Sequence, residues 1–161
     1  MEKSALIESD VNYDWHFLNY PLHTVSAKPE QTSKECAILL IHGFGASTDH
    51  WRFNIPILSK KYEVHAMDLL GFGKSPKPQD VEYSGSLWKD QVIAYVKEKI
   101  KKPTVVVGNS LGGYAALAAG SELNELNAGV ILLNAAGYFS EEKTIKRICC
   151  KLQLKLLRAY F

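Results

Sequence analysis

The feature that most constrains this chain is a run of five apolar residues with no polar break, Ala37-Ile38-Leu39-Leu40-Ile41, leading straight into His42-Gly43. A strand with one wet face alternates apolar and polar residues, so an unbroken run fits a strand buried on both faces. Three further segments read as buried strands: Tyr62 to Asp68, Thr104-Val105-Val106-Val107, and Gly129 to Asn134. Helical patterns lie between them. Trp51 to Leu58 has helical character before Lys60-Lys61. Leu87, Trp88, Gln91, Val92, Tyr95, Val96 and Ile100 recur at helical spacing, with Lys89, Lys97, Glu98 and Lys99 on the wet side and Pro103 as a stop. Tyr114 to Ala119 is an alanine-rich helix. Strands alternating with helices predict an α/β fold: a mostly parallel sheet, helices on both faces, right-handed crossovers.

Ahead of this core, Tyr13, Trp15, Phe17, Tyr20, Leu22 and Val25 partly alternate with polar residues, which predicts an antiparallel pair turning near Pro21. The length of 161 residues favours one core. The 47% hydrophobic and 22% charged content suits a folded globular chain. A net charge of +2 is too small for the field that nucleic-acid binding requires. Three cysteines, two of them the neighbours Cys149 and Cys150, make no disulfide framework, so a reducing, cytoplasmic setting is expected. The first ten residues are acidic where a signal peptide would be basic and then apolar, and no apolar run approaches the roughly 18 residues of a membrane span.

The chemistry is concentrated in Gly108-Asn109-Ser110-Leu111-Gly112, a G-x-S-x-G between a buried strand and a helix. In isolation that pattern is a glycine-rich turn; between strand and helix it becomes a nucleophile elbow. Small residues at Gly108 and Gly112 let the backbone turn sharply and leave Ser110 Oγ free above the sheet. The Leu111 N–H at the start of the helix is placed to face an oxyanion, and the His42-Gly43-Phe44-Gly45 loop offers a second donor at the Phe44 N–H.

Together with the Asp68-Leu69-Leu70-Gly71-Phe72-Gly73-Lys74-Ser75 turn, these segments resemble the α/β-hydrolase superfamily. The stretches HGFGASTDHWRFNIP, DLLGFGKSPKP and VVVGNSLGGYAALAA are similar to α/β-hydrolases of cyanobacteria and plastids, with the likeness covering about residues 13 to 140. The resemblance implies a hydrolase of ester-type bonds with Ser110 as nucleophile and the Phe44 and Leu111 amides as oxyanion hole. Serine at the elbow disfavours the aspartate-nucleophile relatives, the haloalkane dehalogenases and epoxide hydrolases. Ester, thioester and carbon–carbon substrates stay open, as does cofactor-free haloperoxidase-like chemistry.

Other motifs fall short. Gly71-Phe72-Gly73-Lys74-Ser75 ends like a phosphate loop but has Asp68 where the first glycine belongs, and Thr48 and Pro76 occupy the third-glycine places of two incomplete dinucleotide fingerprints. His42, Asp49, His50, His65 and Asp68 match no metal-ligand spacing, so neither a metal nor a cofactor is expected. Asp68 and Ser75 read as holding their loop through local hydrogen bonds, and Trp51 and Trp88 as core anchors.

The family's triad runs Ser, then acid, then His. Past Ser110 this sequence has no histidine and no aspartate; its acids there are Glu122, Glu125, Glu141 and Glu142. The expectation is therefore an N-terminal portion of an α/β-hydrolase, over residues 1–140 and truncated after about the sixth strand, followed at 141–161 by the start of a cap segment. Lys143, Lys146, Arg147, Lys151, Lys155 and Arg158 interleave there with Ile145, Ile148, Leu152, Leu156, Leu157 and Phe161 as a basic amphipathic helix. Expected partners are a small-molecule substrate and a separate C-terminal half or a second copy. The alternatives are a non-catalytic binding protein of the same fold and, less favoured, a peripheral membrane protein using 141–161.

Overall fold

The computed structural model describes residues 10–29 and 36–136. A six-stranded sheet forms its centre. In chain order the elements are β1 (Asp10–Asn12), β2 (His16–Phe17), β3 (Tyr20–Pro21), β4 (Thr24–Ala27), β5 (Ala37–Ile41), α1 (Ile55–Leu58), β6 (Glu63–Met67), α2 (Gly85–Tyr95), β7 (Thr104–Asn109), α3 (Leu111–Gly120) and β8 (Asn127–Leu133). Short 3-10 turns precede α1 (Thr48–Trp51) and β8 (Asn124–Leu126), and a π turn (Val96–Ile100) extends α2.

The sheet order is β1-β4-β6-β5-β7-β8. β6, β5, β7 and β8 run parallel, while β4 and β1 are antiparallel additions at one side. The chain leaves β5 to build β6 on one flank, then crosses to build β7 on the other. The carboxyl ends of β5 and β7 thus border a topological switch point, where open α/β sheets place their ligands.

The unbroken apolar runs serve two cores. Along β5, Ala37, Leu39 and Ile41 face one cluster, with Trp15, Leu22, Trp88, Val92, Tyr95 and the alanines of α3. Ile38 and Leu40 face the other, with Trp51, Ile55, Val64, Ala66 and Val107. Strand periodicity of two thus fills both faces from one sequence. Trp51 and Trp88 are buried as anchors of these clusters.

Three expectations are corrected in detail. The first hairpin turns at Leu18-Asn19, with φ of 50° and 66°, and not near Pro21, which pairs with His16 inside the ladder. A two-residue loop of type I′ takes positive φ at both centres; Asn tolerates this, and Leu18 accepts it on the surface. The second helix is stopped by Lys101 in the left-handed region, whose N–H donates to Val96 O at 2.8 Å, before Pro103 is reached. The last strand is not buried on both faces: among the described residues β8 pairs only with β7, and Leu132 and Leu133 are 37% and 36% exposed. The expected helix over 141–161, with Cys149 and Cys150, lies outside the described residues. Among the described residues no helix is long and apolar enough to cross a membrane.

α2 begins where Ser84 Oγ accepts the Leu87 N–H at 3.2 Å, a side-chain N-cap. Its inner stripe is Trp88, Gln91, Val92 and Tyr95. Gln91 is the polar member, fully buried, and it serves the loop after β6: Oε1 accepts from Leu70 N at 2.9 Å and Nε2 donates to Asp68 O at 3.2 Å. Replacing Gln91 by Leu leaves the buried Leu70 N–H without an acceptor, while Asp68 O keeps its bond from Ser75 Oγ, so the cost is that of one unsatisfied group, about 1–3 kcal/mol. Urea unfolding of Gln91→Leu is expected to show a loss of about 1–3 kcal/mol. The exposed-pair variant Glu122→Ala, which removes a surface partner of Lys89, is expected to cost less than about 1 kcal/mol. Equal midpoints for Gln91→Leu and the parent would contradict this.

Candidate active site

The turn between β7 and α3 is lined by glycines whose missing side chains set the spacing between α3 and the sheet. A Cβ at Gly108 would run into the Gly112 carbonyl, and one at Gly112 into the carbonyls of His42 and Ile41. A Cβ at Gly113 would fall 2.6 Å from Ala135 Cβ. α3 therefore sits against the carboxyl ends of β5 and β7 at a distance no side chain permits. Between strand and helix Ser110 is forced to φ 49°, ψ −116°, a conformation costing a non-glycine residue about 1–3 kcal/mol.

Neighbouring backbone over-determines that strain. Ser110 N–H donates to Leu133 O at 3.0 Å, and Ser110 O accepts from Gly113 N at 2.9 Å and Ala136 N at 2.9 Å. The end of β8 thus grips both polar groups of the Ser110 backbone. The hydroxyl is half-buried and has no hydrogen-bond partner among the described residues.

The loop after β5 comes up beside this serine. A Cβ at Gly43 would sit 3.2 Å from Ser110 Cβ and 3.4 Å from Asn109 O. Gly43 therefore lies against Ser110, and Phe44, the next residue, projects a side chain that is 79% exposed. Neither the Phe44 N–H nor the Leu111 N–H has a hydrogen-bond partner among the described residues. Leu111 opens α3, where the first N–H groups have no intrahelical acceptor.

Asp68 fixes the other side of the site. Fully buried, it accepts from Thr48 N at 2.5 Å through Oδ1 and from Lys74 N at 2.7 Å through Oδ2. His23 Nδ1 lies 3.0 Å from Oδ2, and Ser75 Oγ donates to Asp68 O at 2.9 Å. The expected local role of Asp68 and Ser75 is present, with a longer reach: through Thr48 and His23 the carboxylate ties the β6 loop to the β5 loop and to β4. Sequence reading missed His23 and Gln91 here. The available signal for Gln91 was a polar residue on the otherwise apolar stripe Trp88, Val92 and Tyr95; His23, beside Thr24, carried none.

His42 is occupied at both ring nitrogens. Nδ1 donates to Gly43 O at 2.7 Å and Nε2 accepts from Leu69 N at 3.1 Å, which defines the neutral Nδ1–H tautomer. Burial pushes its imidazole below the ordinary histidine range, against the opposing pull of the Gly43 carbonyl and the Asp68 carboxylate. It holds the loop after β5 in place, and both of its ring nitrogens are committed there. His65 is lowered by burial too, although Glu63 at 3.0 Å favours its charged form, and its other nitrogen meets Tyr95 Oη at 3.1 Å. The exposed His50 stands 3.4 Å from Asn109 Nδ2, beside the elbow. Among the described residues no group of three or more His, Cys, Asp or Glu is arranged to hold a metal ion.

The sheet order and the glycine-lined turn between β7 and α3 together define a class, and comparison with known proteins agrees. The family model for the alpha/beta hydrolase fold matches residues 37–155. The chain belongs to the α/β-hydrolase family. It is 38% identical over 119 residues to 2-hydroxy-6-oxo-6-(2'-aminophenyl)hexa-2,4-dienoic acid hydrolase of Metapseudomonas resinovorans, a match covering 69% of this chain and 39% of that protein. It is 32% identical over 133 residues to the chloroplastic pheophytinase of Arabidopsis thaliana, covering 64% and 28%. Among solved structures, a serine hydrolase involved in carbazole degradation aligns with TM-score 0.61 and 33% identity, over 83% of this chain and 50% of that one. The chain thus spans well under half the length of these two curated relatives.

The lowered imidazoles set a pH dependence. Unfolded, His42 and His65 titrate near 6.5; folded, both titrate lower, so below about pH 7 the unfolded state binds more protons. Their contribution to stability is complete above about pH 7.5 and is lost as pH falls through 6.5 and on through the folded values. Unfolding free energy measured from about pH 8 to pH 5 is expected to fall at the acid end, with a shallower fall in His65→Gln. An unchanged slope in that variant would exclude His65 as a source.

Proposed function

We propose that this chain supplies the nucleophile and oxyanion hole of a serine hydrolase acting on ester-type bonds. Ser110 Oγ attacks the substrate carbonyl, and the Phe44 and Leu111 N–H groups receive the oxyanion. The observation that carries this reading is the strained Ser110 backbone held with its hydroxyl unpartnered beside Gly43. Strain over-determined by its surroundings is characteristic of functional positions. The glycines Gly108 and Gly112 serve by admitting the turn. No cofactor enters the scheme.

A serine hydroxyl at neutral pH is a poor nucleophile without a base. The sequence holds no histidine after Ser110, and His42 is committed to its own loop. In this reading an acid and a histidine come from polypeptide outside these 161 residues, docked along the edge of β8 that has no partner among the described residues. A second reading, a binding protein of the same fold that does no chemistry, is favoured by the same edge: exposed Leu132 and Leu133 on a strand with one partner among the described residues invite association.

Turnover of p-nitrophenyl acetate separates the two. The chain alone is expected to show no more than the roughly 10³ to 10⁴-fold over water that an oxyanion hole and binding can leave when a triad is incomplete. That residue of activity is expected to vanish in Ser110→Ala. Co-expression with a polypeptide carrying the following strands, an Asp or Glu and a His is expected to raise it by orders of magnitude. Activity indifferent to Ser110→Ala in both settings would leave the binding-protein reading standing.

A further inference from the structure

At the same end of the sheet as Ser110, the turn after β6 and the oxyanion loop enclose an aromatic cleft. Phe72 meets His42 and Phe44 edge-on, with ring centroids 5.9 and 5.3 Å away, and stands 5.7 Å from Trp88 at a tilt. The cavity among these rings has a volume of about 250 Å³ and is lined by Phe44, Phe72, Lys77, Gln79, Tyr83 and Trp88.

The polar ends of the lining are already engaged with backbone. Trp88 Nε1 donates to Leu70 O at 3.0 Å and Tyr83 Oη to Pro78 O at 2.8 Å. Lys77 Nζ donates to the carbonyls of Gly73 and Ser75 at 2.7 and 3.2 Å. The Tyr83 ring rests on Gly71, where φ is +93° and a Cβ would fall 2.5 Å from Tyr83 Cε1. The rings are thus fixed in place, and with their N–H and O–H groups engaged they offer a ligand chiefly ring carbon. Phe44 is the exception, its ring 79% exposed.

Phe44 joins this cleft to the proposed chemistry. Its backbone N–H is the oxyanion donor of the reading above, Gly43 before it touches the Ser110 position, and its ring forms a cleft wall. We infer that the cleft receives a planar aromatic group carried by the substrate, seated among Phe44, Phe72 and Trp88. Fixed rings at edge-on and tilted angles reward another ring beyond the burial that an alkyl chain of equal size gains. Size agrees: an apolar cavity of about 150 Å³ is enough for benzene, so this one takes a substituted ring. The inference rests on the serine-hydrolase reading for what happens at the carbonyl, but the binding step stands apart from it.

The test uses the full chain and two uncharged amides of similar size, phenylacetamide and hexanamide, read through the Trp88 indole N–H resonance assigned with Trp88→Phe. Phenylacetamide is expected to shift that resonance saturably and to bind about fivefold or more tighter than hexanamide. Phe72→Leu, which keeps an apolar side chain and so guards against a folding defect, is expected to erase the preference. Equal affinity for the two amides, a preference that survives Phe72→Leu, or no shift at Trp88 would overturn the cleft. Ester turnover separates the two readings. If the aromatic preference holds but turnover does not depend on Ser110, the cleft stands and the hydrolase reading falls. If turnover depends on Ser110 but no preference appears, the cleft alone is overturned.

Discussion

The close seat of α3 on the carboxyl ends of β5 and β7 is the constraint on which the rest of the site depends. Were there a side chain at Gly108 or Gly112, helix and sheet would have to separate, because each Cβ would meet backbone carbonyl and not a flexible tip that can swing aside. Separation would relax the Ser110 turn, withdraw the Leu111 N–H and part Gly43 from Ser110. One steric condition, met by glycine alone, thus controls three features of the site. The conformational cost of glycine on folding is modest beside that geometry.

A second layer keeps the opposite wall in register. Asp68 sits with no exposure at the exit of β6 and takes hydrogen bonds from Thr48 and Lys74, with His23 at its other side. His42 reaches across to Leu69 N, and Gln91 spans Leu70 and Asp68. Each is a buried polar group spent on loop backbone that no strand or helix can satisfy. The loops that carry Phe44 and Phe72 are therefore rigid for the same reason that their polar atoms are paired, and an ordered aromatic wall follows from an ordered backbone.

Much of this was legible in sequence because it is governed by short-range pattern. Unbroken apolar runs at 37–41 and 105–107, followed by His-Gly and Gly-x-Ser-x-Gly, fix strand, turn and helix locally, and the structure places them so. The hairpin at Leu18-Asn19 was not legible, since no Asn-Gly or Asp-Gly marks it and the aromatic alternation continues through it. Gln91 looked like one more member of a helical stripe, and His23 like a residue of an antiparallel strand. Their roles depend on Asp68 in the loop after β6, 23 residues from Gln91 and 45 (68 − 23) from His23, which periodicity does not see. The wet face of β8 was also hidden, because Val130-Ile131-Leu132-Leu133 has the composition of a central strand.

That mismatch between composition and position at β8 bears on the chemistry as well as on stability. The same strand end that leaves Leu132 and Leu133 exposed holds the Ser110 backbone, through Leu133 O and the Ala136 N–H. A parallel strand pairing along the edge of β8 that has no partner among the described residues would bury its leucines, at roughly 25 cal/mol per Å² of apolar area removed from water. The proposed docking of an acid and a histidine would land on the strand whose end holds the strained Ser110 backbone. In that reading completing the sheet and completing the triad are a single physical event, since the segment that delivers the base also braces the backbone against which the base acts.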